Sequence, residues 1–300
     1  MRRKIIKQGA ATLTVSLPAK WTKKFSLKSG DELDLEEKNT ALIVTSAKAA
    51  EHKKETLDLS KLDTLTKRIV ASKYLEGVDE IEVKFNTLNK ARIIQQRVRD
   101  MIGMEVIQQG KNFLVIKDIS GATEKALDPI VRRIFFMISS LAEECLNSIS
   151  NRETDLTYLE DMENNIDRFT DHCLRILVKY GYSDYWKTPI VYTIILLLEQ
   201  LADEYRIFTN YITRNKIKLD QSNIEIFEDI HKLFKQFENL FYGFSYEKAA
   251  IMAKERDKII AEIDRKISKT KSVQESQILR SLREMTELII RMMGQNLTLS

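Results

Sequence analysis

The helical spacing of apolar residues from Ala122 to the C-terminus constrains the fold of this 300-residue chain more than any other feature. Over that stretch, apolar side chains recur every three or four positions, which places them on one face of an α-helix. The pairs Asp128-Pro129 and Thr188-Pro189 each combine an N-cap residue with a proline suited to a first helical turn. The pattern predicts six long helices, at about 124–150, 154–180, 189–214, 221–242, 245–269 and 272–294.

Short connections separate the predicted helices, so consecutive helices are expected to pack side by side and antiparallel in a bundle. The simplest partition is two sets of three helices, spanning about 122–217 and 218–300. The two sets share little sequence, and the repeat is therefore inferred from the number and lengths of the helices. We expect residues 122–300 to form an all-α, six-helix bundle.

Residues 1–46 have a different pattern, in which short alternating stretches are separated by turn residues such as Gly9 and Gly30. The pattern predicts four strands, at about 4–8, 12–17, 32–36 and 41–45, with one or two helical turns at 18–25. Below about 40 to 50 residues, a disulfide, a metal or an oligomer is usually needed to complete a core. An intertwined dimer is the natural expectation for this segment.

A charged connection at 47–55 leads to a second predicted unit at 56–120. Its pattern predicts a strand at 56–59, a helix at 63–75, a strand at 80–85, a helix at 89–101 and hairpin strands at 105–108 and 113–117. Its glycines, such as Gly103 and Gly110, are isolated, so the sequence contains no glycine-rich phosphate loop there. We expect a small α+β module without a catalytic or nucleotide-binding motif.

Positive charge is concentrated at the start of the chain, although the net charge is only +4. Residues 1–28 contain no acidic residue and eight basic ones, namely Arg2, Arg3, Lys4, Lys7, Lys20, Lys23, Lys24 and Lys28. Five acidic residues then follow within 31–37, so this segment carries opposite charges in adjacent stretches.

The composition favours a protein of the cytoplasm. The longest uninterrupted apolar runs have five residues, as at 134–138 and 194–198, whereas a membrane span needs about 20. The basic N-terminus continues directly into strand-like sequence, which does not resemble a secretory signal. The two cysteines, Cys145 and Cys173, lie in predicted helices and are compatible with a reducing compartment.

Two predicted helices each carry a pair of carboxylates one turn apart within an apolar pattern. The pairs are Glu163 with Asp167, and Glu199 with Asp203. Residues at i and i+4 share a helix face, where like charges repel and partial burial adds a cost of desolvation. A bound cation would make this arrangement favourable, and oxygen ligands suit Mg, Mn, Fe or Zn. The alternative is a hydrated surface in which the carboxylates pair with Arg168, Arg175 or Arg206.

The residues needed for two familiar kinds of enzyme are missing from the sequence. A di-iron bundle enzyme would need two Glu-x-x-His motifs, but only Glu228-Asp-Ile-His231 is present. The other histidines, His52 and His172, lack that spacing, although His172 lies next to Asp171 on the helix of the first carboxylate pair and could act as an accessory ligand. No serine lies in a nucleophile elbow. We therefore predict a protein without catalytic residues.

Three motifs follow one another in residues 1–46: Ile5-Ile6-Lys7-Gln8-Gly9, then Leu13-Thr14-Val15-Ser16-Leu17-Pro18, then Leu27-Lys28-Ser29-Gly30-Asp31-Glu32-Leu33. With Trp21 and a closing strand at 41–44, they resemble a SpoVT-AbrB (AbrB/MazE-like) swapped-hairpin domain. The resemblance implies a homodimer whose basic face binds DNA through phosphates. The DNA-binding candidates are Arg2, Arg3, Lys4 and Lys7, with Lys20, Lys23 and Lys24 secondary. The alternative is a basic surface that only keeps the dimer soluble.

The six-helix region, with its two Glu-x-x-x-Asp steps, resembles PhoU, a phosphate-uptake regulator made of two three-helix bundles. The order of all three parts resembles the archaeal PhoU-related proteins and covers essentially the whole chain. The resemblance implies a cluster of divalent or trivalent transition-metal ions (Fe, Zn or Mn) at Glu163, Asp167, Glu199 and Asp203. The second set of helices has no clean Glu-to-Asp step, and offers Asp257, Glu262, Asp264, Glu284 and Glu287 instead.

These resemblances imply a cytoplasmic, non-enzymatic regulator of phosphate uptake and phosphate homeostasis, with a DNA-binding head and a bundle that senses or relays phosphate status. In the PhoU family, the bundle contacts a phosphate transporter and a signalling kinase. The alternative is an adaptor for such a partner, in which the AbrB-like head only dimerises. The head alone also suggests an antitoxin, but an antitoxin would have a short tail in place of the helices at 122–300.

Overall fold

A computed structural model describes residues 2–9, 11–38, 40–46, 53–62, 64–151 and 156–299 of the chain. The chain divides into two compact units, Met1–His52 and Lys53–Ser300. The predicted helix starts at 63 and 154, and residues 47–52 of the predicted connection, lie outside the described residues. Within the described ranges, no helix combines the length and the apolar character needed to cross a lipid bilayer.

The N-terminal unit contains two separate antiparallel hairpins with a short helix between them. Its elements are β1 (Ile6–Gln8), β2 (Thr12–Thr14), α1 (Ala19–Lys24), β3 (Leu33–Lys38) and β4 (Ala41–Ser46). Gly9 has a φ of 72° in the turn between β1 and β2, a left-handed conformation that favours glycine. The four predicted strands are confirmed, although β2 ends at Thr14 and not at the predicted residue 17.

Apolar side chains of the N-terminal unit face solvent. Six of them are more than half exposed: Ile5, Ile6, Leu13, Val15, Leu35 and Leu42. None of the apolar side chains whose burial is described in this unit is fully buried. A lone two-stranded hairpin is marginally stable in water, and this unit gains little from a core of its own.

The second unit begins with an α+β module, whose four-stranded sheet has the order β5-β6-β8-β7. Its elements are β5 (Lys54–Asp58), α2 (Thr66–Leu75), β6 (Glu80–Lys84), α3 (Leu88–Asp100), β7 (Met104–Gln109) and β8 (Phe113–Asp118). Strands β5 and β6 are parallel, whereas the other neighbours are antiparallel. Alternate residues of β6, Ile81 and Val83, are fully buried with Ile94 of α3 in a small core, as the period of two in a half-buried strand requires.

Six long helices follow the module, as the helical spacing of apolar residues predicts. They are α4 (Leu127–Ser150), α5 (Tyr158–Tyr180), α6 (Thr188–Asn215), α7 (Gln221–Tyr242), α8 (Tyr246–Ile267) and α9 (Val273–Asn296). Helices α4, α5 and α6 pack against one another, as do α7, α8 and α9, and the pairs α6/α9 and α4/α7 join the two sets. One continuous apolar core runs through all six, with Phe135 of α4 against Phe234 and Phe237 of α7.

The predicted N-caps of two helices are wrong. Helix α4 begins one residue before Asp128, and α6 begins at Thr188 itself, so both residues lie inside the first turn. The reason is that a 3-10 turn leads into each helix, at Glu124–Ala126 and at Tyr185–Lys187, and removes the extended residue that an N-cap requires. The Thr188 hydroxyl instead accepts a hydrogen bond from the Tyr182 backbone nitrogen, at 2.9 Å.

Candidate metal site

The four carboxylates of the predicted metal set lie on two neighbouring helices. Glu163 and Asp167 are on α5, Glu199 and Asp203 are on α6, and the two helices pack against each other. Only 2% of the Glu163 surface is exposed, so its carboxylate is withdrawn from water. Arg206 of α6 contacts both Glu163 and Asp203, which joins the two pairs across the helix interface.

Burial and mutual repulsion raise the pKa of three carboxyl groups at this site. Burial, followed by the charges of Glu163 and Glu199, raises the pKa of Asp167 to about 8. Burial and the nearby Asp171 carboxylate raise the pKa of Glu199 to about 7. Burial also raises the pKa of Glu163, against the opposing effect of Arg206. A cation at this position would favour the ionised forms, because it would offset both the desolvation and the repulsion.

Arg206 already supplies one positive charge to the site. Its Nε lies 3.0 Å from Glu163 Oε1, and its Nη2 lies 2.5 Å from Asp203 Oδ1. Of the three arginines that the sequence suggests as partners, Arg206 pairs with the carboxylate set, whereas Arg168 and Arg175 bond to other residues. One guanidinium therefore forms ion pairs with two of the four carboxylates.

The four carboxylates supply oxygen ligands, which suit a hard cation. Neither Asp167 nor Glu199 has an ion pair with a residue that the structure describes, and Asp167 Oδ1 is buried without a hydrogen-bond partner. A buried acceptor without a partner is costly, and a cation would satisfy it. Across the described ranges, however, no three His, Cys, Asp or Glu side chains have the geometry of a metal site. The side chains present would have to adjust around an ion.

Sequence reasoning missed a fifth carboxylate, Asp171. It lies one turn after Asp167 on α5, and 13% of its side chain is exposed. Its Oδ2 accepts a hydrogen bond of 2.7 Å from Arg97 Nη2, on α3 of the α+β module. The repeated step of four residues from Glu163 through Asp167 to Asp171 is visible in the sequence and could have identified it.

The second half of α5 holds the α+β module by buried polar contacts. Arg175, of which 2% is exposed, bonds to Asp118 Oδ2 at 2.7 Å and to the Tyr74 carbonyl oxygen at 2.7 Å. Lys179 pairs with Asp79 of the same module. The Tyr74 hydroxyl lies 2.9 Å from Nδ1 of His172, so this histidine faces the module. A buried charge that is paired and hydrogen-bonded is expensive to separate from its partner, so these contacts fix the module to α5.

The five acidic residues that the second helix set offers in place of a Glu-to-Asp step are each paired with an arginine. Arg256 bridges Asp257 and Glu287 at 2.9 and 2.8 Å. Three further pairs complete the set: Arg265 with Glu262, Arg283 with Asp264, and Arg291 with Glu284. Each of these carboxylates thus has an arginine partner, although Asp257 and Glu287 share one, and most of them lie at the surface.

The seven predicted DNA-binding residues are all exposed on the N-terminal unit. They are Arg2, Arg3, Lys4, Lys7, Lys20, Lys23 and Lys24. Lys20, Lys23 and Lys24 belong to α1, and Lys7 lies on β1. Arg3 donates a long hydrogen bond of 3.4 Å to the Ser16 hydroxyl, and the Lys24 ammonium lies 5.1 Å from the centre of the Phe25 ring. The exposed charges of Arg2, Lys4, Lys7, Lys20 and Lys23 are therefore accessible to an anionic partner.

Comparison with known proteins does not place the chain in a family. No protein-family model, no curated protein and no solved structure matches it.

Proposed function

We propose that this protein is a homodimeric, DNA-binding regulator of phosphate uptake and phosphate homeostasis. In this proposal the N-terminal unit is an AbrB-like swapped-hairpin domain, and the helices form two PhoU-like repeats. The bundle senses or relays phosphate status by metal binding, by a ligand, or by contact with a transporter or a signalling kinase. The proposal includes a cytoplasmic location and no enzymatic activity.

One observation carries the proposal: the N-terminal unit combines exposed apolar strands with an exposed set of cations. Ile6 and Leu13 on the first hairpin, and Leu35 and Leu42 on the second, are each more than half exposed. Burying such side chains is worth about 1.5 to 3 kcal/mol each, which a second copy of the hairpins can supply. Because two copies also double the basic residues, dimerisation would produce a surface suited to DNA phosphates.

The carboxylate set of α5 and α6 supports a regulatory role for the bundle. A divalent cation, when bound, would neutralise the mutual repulsion of these side chains and hold α5 against α6. Glu163, Asp167, Glu199 and Asp203 would hold the ion, with Arg206 turned away from at least one of them. For such binding to regulate the head, the cation must favour one of two arrangements of the protein.

The second candidate function is an adaptor in which the head serves only to dimerise. The exposed apolar strands favour it equally, since they require a partner chain but not DNA. The basic residues distinguish the two functions, because in an adaptor they would only keep the dimer soluble and would not contact phosphates.

DNA binding by the full chain separates these functions. The variant Arg3→Ala with Lys7→Ala removes two exposed cations of the head, and Lys67→Ala with Arg68→Ala removes two exposed cations of α2 as the matched control. We expect the affinity of the wild type for duplex DNA to fall steeply with salt. The head variant should reduce the slope by roughly 0.9 for each lost phosphate contact, while the control keeps the wild-type slope. No binding at low salt, or equal binding by both variants, would remove the DNA-binding function.

A further inference from the structure

A cavity of about 400 Å³ lies within the second unit, between the α+β module and helix α5. Its walls come from α3, from the turn that joins α3 to β7, from the start of β7 and from one residue of α5, Arg168. Its two basic residues, Arg99 and Arg168, have no ion pair with a residue that the structure describes. We propose that this cavity binds a phosphate group, either free or carried by a small organic molecule. The inference gives the proposed function a ligand, and it rests on that function for the regulatory meaning of binding.

Arg168 faces the module but lacks a partner in it. Four polar residues follow each other on α5 at steps of four, three and four, and so share one helix face: Arg168, His172, Arg175 and Lys179. The last three contact the module through Tyr74, Asp118 and Asp79. The Nη1 of Arg168 makes only a long bond of 3.3 Å, to Asn165 of its own helix, and its Nε is buried without a partner among the described residues. A buried donor without an acceptor is costly, so an anion in the cavity would stabilise this side chain.

Arg99 brings a second guanidinium to the cavity, from the last turn of α3. Among the described residues of the lining, Glu105 alone is acidic. Glu105 is exposed and lies opposite Lys117 in the register of β7 and β8. Opposite charges on facing residues of neighbouring strands attract each other, so Glu105 has a counter-charge outside the cavity. The lining therefore keeps an excess of positive charge.

The turn between α3 and β7 offers a backbone donor. The Met104 nitrogen bonds to the Met101 carbonyl oxygen at 3.1 Å, and Gly103 has a φ of 87° within this turn. The Ile102 carbonyl oxygen accepts a bond of 2.9 Å from the Tyr74 hydroxyl. In a trans peptide the N–H points opposite to the carbonyl, so the N–H of Gly103 points away from Tyr74. It donates to no described residue, and Gly103 lines the cavity, which makes it a third donor available to an anion.

This arrangement of donors favours phosphate over a carboxylate. A guanidinium matches either oxyanion with two parallel N–H groups. A phosphate monoester, however, has about two negative charges at neutral pH and three acceptor oxygens, so it can bind groups on α3, on α5 and in the turn together. The cavity also has the size of a small-molecule site, and Val98, Met104 and Val106 in its lining would contact an organic group.

Calorimetric titration of the full chain tests this site, with inorganic phosphate and adenosine monophosphate as separate probes. We expect Arg168→Gln to weaken binding of the tighter probe about tenfold or more, because a charge-assisted hydrogen bond from a partly buried side chain is lost. Arg99→Gln should weaken it about fivefold, since that side chain is exposed and its charge is screened by water. The matched control is Arg92→Gln, which removes an exposed charge of α3 outside the cavity and should leave the affinity within about twofold.

Tighter binding of the nucleotide would identify an organic phosphate as the ligand, and tighter binding of inorganic phosphate would identify the free ion. The inference is wrong if neither probe binds, if Arg168→Gln and Arg92→Gln bind equally, or if adenosine binds as tightly as its monophosphate. None of these results affects the DNA-binding test above. Hydrogen exchange of the wild type needs no variant: amides at 102–104 should exchange more slowly with the tighter probe bound, and unchanged exchange there would also overturn the inference.

Discussion

The two halves of the helical bundle use similar residues in opposite ways. In the second half, acidic residues such as Asp264 and Glu284 each have an arginine of their own. In the first half, Glu163 is buried and shares Arg206 with Asp203, while Asp167 and Glu199 have no ion pair with a described residue. Acidic residues at helical spacing thus form a candidate cation site only where they are buried and have too few basic side chains beside them to neutralise their charge.

The largest predicted difference between the halves is the loss of stability on replacing Arg206 or Arg256, each of which contacts two carboxylates. Replacing Arg206 with alanine leaves the buried Glu163 without its partner, and we expect a loss of about 2 to 3 kcal/mol in the free energy of unfolding. Replacing Arg256 with alanine should cost about 1 kcal/mol or less, because its partner Asp257 is largely exposed. Urea denaturation of the two metal-free variants measures both losses, and equal losses would show that the halves do not differ.

Removing a carboxylate should stabilise the metal-free protein in the first half and have little effect in the second half. We expect Asp167→Asn to stabilise the metal-free protein at pH 8, on the order of 2 kcal/mol before screening by water. Folding raises the pKa of Asp167 from near 4 in the unfolded chain to about 8. The contribution of this group to stability is therefore complete below about pH 4 and is lost as the pH rises to 8. The free energy of unfolding of Asp167→Asn should therefore fall less than that of the wild type between pH 5 and 8.

The matched control for Asp167→Asn is Asp257→Asn, whose carboxylate pairs with Arg256 at the surface. Its free energy of unfolding should stay within about 0.5 kcal/mol of the wild type. Both variants are compared with the wild type in chelator-treated buffer by denaturation at several pH values. A destabilised Asp167→Asn protein would contradict the claim that this charge lacks compensation.

The smallest predicted difference between the two halves is the stability that each loses in acid through its histidine, His172 in the first half and His231 in the second. Burial and the neighbouring Arg175 lower the pKa of His172. Burial also lowers the pKa of His231, but Glu143 opposes that shift. A lowered pKa gives stability that is present above the unfolded value near 6.5 and lost as the pH falls below it. We expect His172→Gln to reduce the loss of stability between pH 7.5 and 5.5 measured by urea denaturation, and His231→Gln to reduce it less.

The sequence predicts some parts of this molecule better than others, for physical reasons. The six helices follow from local spacing, because a period of 3.6 residues is a property of each segment alone. Arg206 is one turn from Asp203, so its pairing was also within reach of the sequence. The Arg97–Asp171 pair was not, since its residues are 74 positions apart and meet only through tertiary packing. The 3-10 turns before α4 and α6 likewise depend on how each connection packs.

The most direct test of the difference between the halves is the metal content of the purified full chain, measured by mass spectrometry. We predict a transition metal in the wild type and in Asp257→Asn with Glu287→Gln, which alters the second half. The variant Glu163→Gln with Asp203→Asn should lose the metal. Equal and negligible metal in all three proteins, including after incubation with Mn²⁺, Fe²⁺ or Zn²⁺, would show that the carboxylates of α5 and α6 do not form a metal site.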